Sequence, residues 1–172
     1  RMAEELGHPE VFMGTKGQEY PAYDPRAFQG MGVAYATSNR GGCHLRAWTP
    51  GVETSTMDPF TPEGKGEWVA HAQHRTTAHD STGVCSFTGA TGGPTDAMVP
   101  CLSAATGVPF TIDELVTIGE RIWNLERLFN LKAGMTCADD SIPERLAKEP
   151  HASGPAAGVT VNLPAMLSAY YK

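Results

Sequence analysis

Residues 111–134, TIDELVTIGERIWNLERLFNLKAG, decide the class of this protein. Thr111-Ile112-Asp113-Glu114 forms a capping box. The Thr111 hydroxyl can accept from an amide one turn on, while Glu114 reaches back to the first free N–H. Leu115, Ile118, Ile122, Leu125 and Phe129 follow at spacings of three and four, the period of one helix face. Gly134 is a natural stop. A long core helix is therefore expected here, with that stripe as its buried face.

Shorter helices are expected on either side. Residues 1–10 suggest the tail of a helix ended by Gly7 and Pro9. Asp24-Pro25-Arg26 predicts a helix start, with Phe28, Met31 and Tyr35 on one face. Gly30 and Gly32 lie inside that helix, where each costs up to about 1 kcal/mol, so close approach by another group is expected there. Further helices are predicted over 67–79, over 97–105, from Ser141-Ile142-Pro143-Glu144, and from Asn162-Leu163-Pro164 to the end of the sequence. Residues 49–66, rich in Pro, Gly and Thr, suggest a loop excursion over the surface, and 89–94 (GATGGP) a second loop. Only Gly158–Val161 suggests a strand. The fold class is mainly α, read as a single helical region over 1–172.

Composition narrows the function. The chain has 172 residues, 13 basic and 19 acidic side chains and a formal net charge of −6. At 41% hydrophobic it can bury a core. With no basic run, it carries no electrostatic footprint for nucleic acid or an anionic membrane. No apolar stretch approaches the roughly 20 residues of a membrane span. No export leader opens the sequence, so the expectation is cytoplasmic, with Cys43, Cys85, Cys101 and Cys137 as thiols or ligands. There is no CxxC pair, no GxSxG and no phosphate-binding glycine loop.

Three constellations could carry chemistry. Cys85 ends Asp80-Ser81-Thr82-Gly83-Val84-Cys85, a glycine turn offering backbone N–H groups and a carboxylate beside a thiolate. The competing reading is a small buried hydrophobe. Arg40 and His44 lie in Asn39-Arg40-Gly41-Gly42-Cys43-His44, where a guanidinium could meet phosphate and an imidazole could move a proton. The alternative is a surface turn whose histidine caps a helix. His71, His74 and His79 share a helix and could hold zinc, but their spacing is not that of HExxH.

Taken together, four motifs carry a resemblance. They are Tyr23-Asp24-Pro25-Arg26 through Gly30-Met31-Gly32, Thr37 through His44, Asp80-x-x-Gly83-Val84-Cys85, and Glu120 through Arg127 with Phe129-Asn130. In this order the chain resembles the C-terminal helical part of the tungsten-containing aldehyde:ferredoxin oxidoreductases. The resemblance implies a tungsten (rarely molybdenum) atom held by two pyranopterins, the tungstopterin, with a 4Fe–4S cluster close by. It implies oxidation of aldehydes to carboxylic acids with ferredoxin as electron acceptor, and leaves open whether the parent enzyme is a homo-oligomer.

Carried over by resemblance, Cys85 is the fourth cluster ligand and Asp80 hydrogen-bonds a pterin. Gly83-Val84 form the backbone turn against that pterin, with Val84 where the family usually has leucine. Arg40 contacts a pterin, and His44 lies near the metal. On this reading Arg40, His44, Asp80 and Cys85 should share one face. The family's other three cluster cysteines, its β-rich pterin domain and the glutamate partnering the histidine have no match in this sequence. The resemblance therefore implies a piece of a larger enzyme, inactive and cofactor-free by itself. A helical interaction module and a zinc hydrolase using His71, His74 and His79 are the readings that compete with it.

Overall fold

The structure is a computed structural model that describes residues 1–88 and 93–172. Helices dominate: α1 Met2–Glu5, α2 Gln29–Thr37, α3 Pro50–Glu53, α4 Lys65–Asp80, α5 Met98–Thr106, α6 Ile112–Lys132, α7 Glu144–Lys148 and α8 Leu163–Tyr170. The mainly α class stands. Most of the predicted loop at 89–94 lies outside the described residues. Two compact units share the chain. The first comprises residues 1–44, 49–69 and 136–172; the second comprises 45–48 and 70–135.

In the first unit α2 is the centre. All nine of its residues are buried, Met31, Val33, Ala34, Tyr35 and Ala36 completely. The helix starts at Gln29, several residues later than Asp24 suggests, because Asp24 caps a turn instead. Its carboxylate accepts from the Arg26 amide at 2.8 Å and holds the Arg26 guanidinium at 2.6 Å. The two glycines of α2 do mark close approach. A Cβ on Gly32 would lie 2.7 Å from Val161, and one on Gly30 would lie 3.0 Å from the Glu53 carboxylate. Gln29 adds polar ties, donating to the Thr160 carbonyl at 2.9 Å and accepting from the Asn162 amide at 3.2 Å.

The stretch 49–66 is more than a surface loop. It contains α3, and Thr49, Glu53 and Lys65 are buried. Glu53 accepts from the Gly30 amide at 2.9 Å, in the first turn of α2, where a carboxylate complements the helix dipole. Lys65 Nζ neutralises it at 2.8 Å and donates to the Asp58 carbonyl at 2.8 Å. A turn-rich composition says nothing about burial when a buried ion pair supplies the polar partners.

The strand expected over Gly158–Val161 does not form. Its backbone bonds go to two separate places instead: Gly158 and Val159 exchange bonds with His151 at 2.9 Å each, and Val161 N–H donates to the Leu146 carbonyl at 2.9 Å, which makes no continuous ladder. The described strands are instead β1 Gly14–Thr15 and β2 Gln18–Glu19, an antiparallel hairpin turned by Lys16-Gly17 at φ +50° and +76°. Two left-handed residues in a two-residue turn match the right-handed twist of the flanking strands.

In the second unit α6 has the expected capping box, with Glu114 N–H donating to Thr111 Oγ1 and Thr111 N–H to the Glu114 carboxylate. Its buried face is not the one predicted. Leu115, Gly119 and Trp123 are buried, whereas Leu125 and Phe129 are 67% and 72% exposed. Gly119 decides this. A Cβ there would collide with the His74 carbonyl and lie 2.7 Å from the Ala78 amide, so α6 presses its glycine onto the backbone of α4. Backbone contact that close selects the smallest residue and turns the larger apolar stripe aside.

Candidate functional site

The Arg40–His44 loop leaves α2 at a heavily anchored point. Ser38 is fully buried. Lys16, from the hairpin turn, donates to the carbonyls of Ala36 and Ser38, placing a cation on the C-terminal carbonyls of α2. Lys16 is itself paired with buried Asp140 at 2.7 Å, and the Tyr171 hydroxyl donates to the other Asp140 oxygen. The double glycine then packs on the hairpin. A Cβ on Gly42 would run into the Tyr20 ring, and one on Gly41, at φ +94°, would lie 2.8 Å from Gln18. Tyr20 stacks on Tyr35 of α2 at 4.4 Å, completing a rigid floor.

On that floor the loop presents two of the expected side chains. Arg40 is exposed and donates through Nε and Nη2 to Sγ of buried Cys43, at 3.2 and 3.0 Å. His44 is half-buried, with its ring 5.3 Å from that of Tyr23. Burial, reinforced by the Arg40 charge, holds the His44 imidazole below its usual range, so the ring is biased toward the neutral form that accepts a proton. Sequence reading gives no role to Tyr23, Lys16 or Cys43 here. The Lys16-Gly17 turn ahead of Tyr20 is the one available signal.

The second unit carries Asp80, Gly83, Val84 and Cys85. Asp80 ends α4, and Gly83 takes the left-handed conformation at φ +75° with open space where a Cβ would be. Val84 and Cys85 are exposed. A thiol in the open argues against the small-buried-hydrophobe reading of Cys85. Exposure is not unique to it, however, since Cys101 and Cys137 share it while Cys43 is buried.

Asp80 is held by a residue that sequence reading misses. Arg46 is 7% exposed; its Nη1 donates to Asp80 Oδ2 at 2.7 Å and its Nη2 to Glu126 at 2.9 Å. The guanidinium also lies 5.5 Å over the Trp123 ring. Ser86 Oγ donates weakly to the other Asp80 oxygen at 3.4 Å. A buried fork between two carboxylates fixes the direction of each.

The three α4 histidines do not gather. His71 is exposed, His74 half-buried, and His79 buried, with no partner for either ring nitrogen among the described residues. Among the described residues no three His, Cys, Asp or Glu side chains are placed to hold a metal ion. No helix is long and apolar enough to cross a membrane among the described residues.

Residues 1–172 match the family model for aldehyde ferredoxin oxidoreductase, domains 2 and 3. The chain belongs to the aldehyde ferredoxin oxidoreductase family. It is 46% identical over 178 aligned residues to the tungsten-containing aldehyde ferredoxin oxidoreductase of Pyrococcus furiosus, covering all of this chain and 29% of that protein. Its identity to the enzymes of the same name from Pyrococcus horikoshii and Thermococcus kodakarensis is 44% and 43%, again over 29% of their length. The chain thus spans less than a third of the relatives it matches, and the matched part is the helical one.

Proposed function

We propose that this chain is part of an enzyme that oxidises aldehydes to carboxylic acids with a tungstopterin and a 4Fe–4S cluster, passing electrons to ferredoxin. The observation that carries the reading is the Asp80–Cys85 turn. It offers one exposed thiol beside a left-handed glycine and a carboxylate clamped by Arg46, in a chain that matches the family from end to end.

The donor set fits the cofactors in kind. A thiolate is the normal cluster ligand, and a cluster needs four. On the family resemblance Cys85 would supply one of them, and the other three would come from the rest of the enzyme. Asp80 and the Gly83-Val84 backbone would hold one pterin, and exposed Arg40 would contact pterin through its charge. Molybdenum could replace tungsten, because the pterins rather than this chain bind the metal. When bound, the tungstopterin would supply two-electron oxidation and the cluster, held in part by Cys85, one-electron transfer.

The chain's own residues supply positioning and proton handling. Converting an aldehyde and water to an acid releases two protons with the two electrons. His44, neutral and half-buried, can accept one of them at a ring nitrogen and deliver it to solvent. Tyr23 against its ring limits how the imidazole turns. The remaining domains complete the site, so the 172-residue stretch alone is expected to be inactive and free of cofactor. The cytoplasm, where exposed thiols stay reduced, suits this chemistry.

The test is anaerobic analysis of the full-length enzyme for tungsten, molybdenum, iron and zinc, repeated on Cys85→Ser. We expect about four irons per chain in the native enzyme, and loss of iron and of the reduced-cluster paramagnetic resonance signal in the variant. Unchanged iron and signal in Cys85→Ser would refute the cluster assignment and favour the plain interaction module.

A further inference from the structure

Helix α6 carries two apolar stripes, and among the described residues only one is buried along its length. At about 100° per residue, Leu115, Gly119 and Trp123 fall on one side, and Ile118, Ile122, Leu125 and Phe129 roughly a quarter-turn away. The first set is buried. In the second, Ile118 and Ile122 are half-covered while Leu125 and Phe129 project into solvent, with Leu128, 56% exposed, at the edge. A regular stripe running more than three turns is a packing surface, and contiguous apolar surface of this kind on a globular domain marks an interaction site.

We propose that the Ile118–Phe129 stripe of α6 docks onto polypeptide of the same enzyme outside residues 1–172, as an internal domain contact. This goes beyond the proposed activity and rests on family membership rather than on the cofactor assignments. Two observations choose the occupant. The relatives that align with this entire chain are more than three times as long, so most of their polypeptide lies outside the matched part. The stripe is also narrow, a single helix face. A second copy of the chain would call for about 800 Å² from each partner, whereas internal domain contacts are stable at smaller area because they are tethered.

The test uses the full-length enzyme. Phe129 is replaced by the photo-crosslinking residue p-benzoylphenylalanine, which keeps an aromatic ring at the proposed contact. Leu125 is replaced in the same way in a second variant, and exposed Asn124 serves as the off-stripe control. After irradiation, we expect a product of unchanged chain mass whose crosslinked peptide lies outside residues 1–172, from both stripe variants and not from Asn124. Crosslinks only within 1–172, crosslinks only in a product of doubled mass, capture of added ferredoxin, or no crosslink from either position would each overturn the proposal. None of these readouts depends on metal content or turnover, so this contact can fail while the cluster assignment stands, and the reverse.

Discussion

Arg46 is the residue on which the Asp80 side of the site depends. It is buried, yet Asp80 and Glu126 keep 34% and 40% side-chain exposure, so water screens part of the attraction. Breaking a wholly buried pair costs about 3–5 kcal/mol, and an exposed one contributes under about 1. We therefore expect Arg46→Met to cost about 2 kcal/mol, read as a fall in the urea-unfolding midpoint. Arg46→Lys should recover less than half, because an ammonium cannot bridge both carboxylates as a fork does. A second residue-scale effect concerns pH. His44 is held below its usual pKa by burial and then by Arg40. His74 is lowered by burial, with Glu120 opposing and His71 adding repulsion. In the unfolded chain both rings bind a proton near the ordinary value of 6.5. Between the two states' pKa values the unfolded chain therefore carries more protons, and stability rises with pH. The unfolding midpoint should fall as pH drops through about 6.5, and His44→Gln with His74→Gln should flatten that slope; a midpoint rising on acidification would contradict both assignments. The motif segments containing Arg40, His44, Asp80 and Cys85 are legible from residue types in order. Arg46 is not, because its role exists only once Glu126, eighty positions away, is beside it.

At the scale of elements, the longer helices are legible from caps and periodicity, while α3 and the buried face of α6 are not. The box at Thr111 and Glu114 fixes where α6 begins because it uses neighbours in sequence. Which side is buried depends on α4, and local pattern points to the larger side chains rather than to Gly119. Two glycines make the distinction measurable. Gly119→Ala puts a Cβ against the α4 backbone, which cannot yield as a side-chain end could, and we expect a loss of about 3 kcal/mol or more. Gly83→Ala meets nothing within 4 Å, so only its left-handed backbone is penalised, about 1 kcal/mol. Comparing the two variants by thermal unfolding checks the assignment, and equal losses would mean that α4 and α6 do not meet through Gly119. The hairpin at 14–19 escapes sequence reading for a different reason. Two-residue strands are too short to show alternation, and only the turn residues betray them.

At the scale of the molecule, the first unit is assembled from three separated stretches of chain. Its third stretch supplies Asp140 for Lys16, the Thr160 carbonyl and Asn162 amide for Gln29, and Val161 and Met166 against α2. Removing residues 136–172 should therefore unfold the first unit rather than trim it. We expect loss of the near-ultraviolet circular dichroism of the stacked Tyr20–Tyr35 pair, and persistence of that signal would show that α2 holds without its partners. Composition can indicate a helical chain of suitable size. It cannot indicate which stretches close on one another, because those contacts join residues more than a hundred positions apart.

That discontinuity sets a timetable for synthesis. Gln29 leaves the ribosome 131 residues before Thr160, the carbonyl its side chain donates to. At about 5–20 residues per second, the interval is roughly 7–26 s. Throughout it, the helix that ends wholly buried in the first unit waits without its partners from residues 136–172, while residues 70–135 emerge as one continuous block. A nascent chain is thus exposed to misassociation through α2 during that interval, and a chaperone that shields it should bind there.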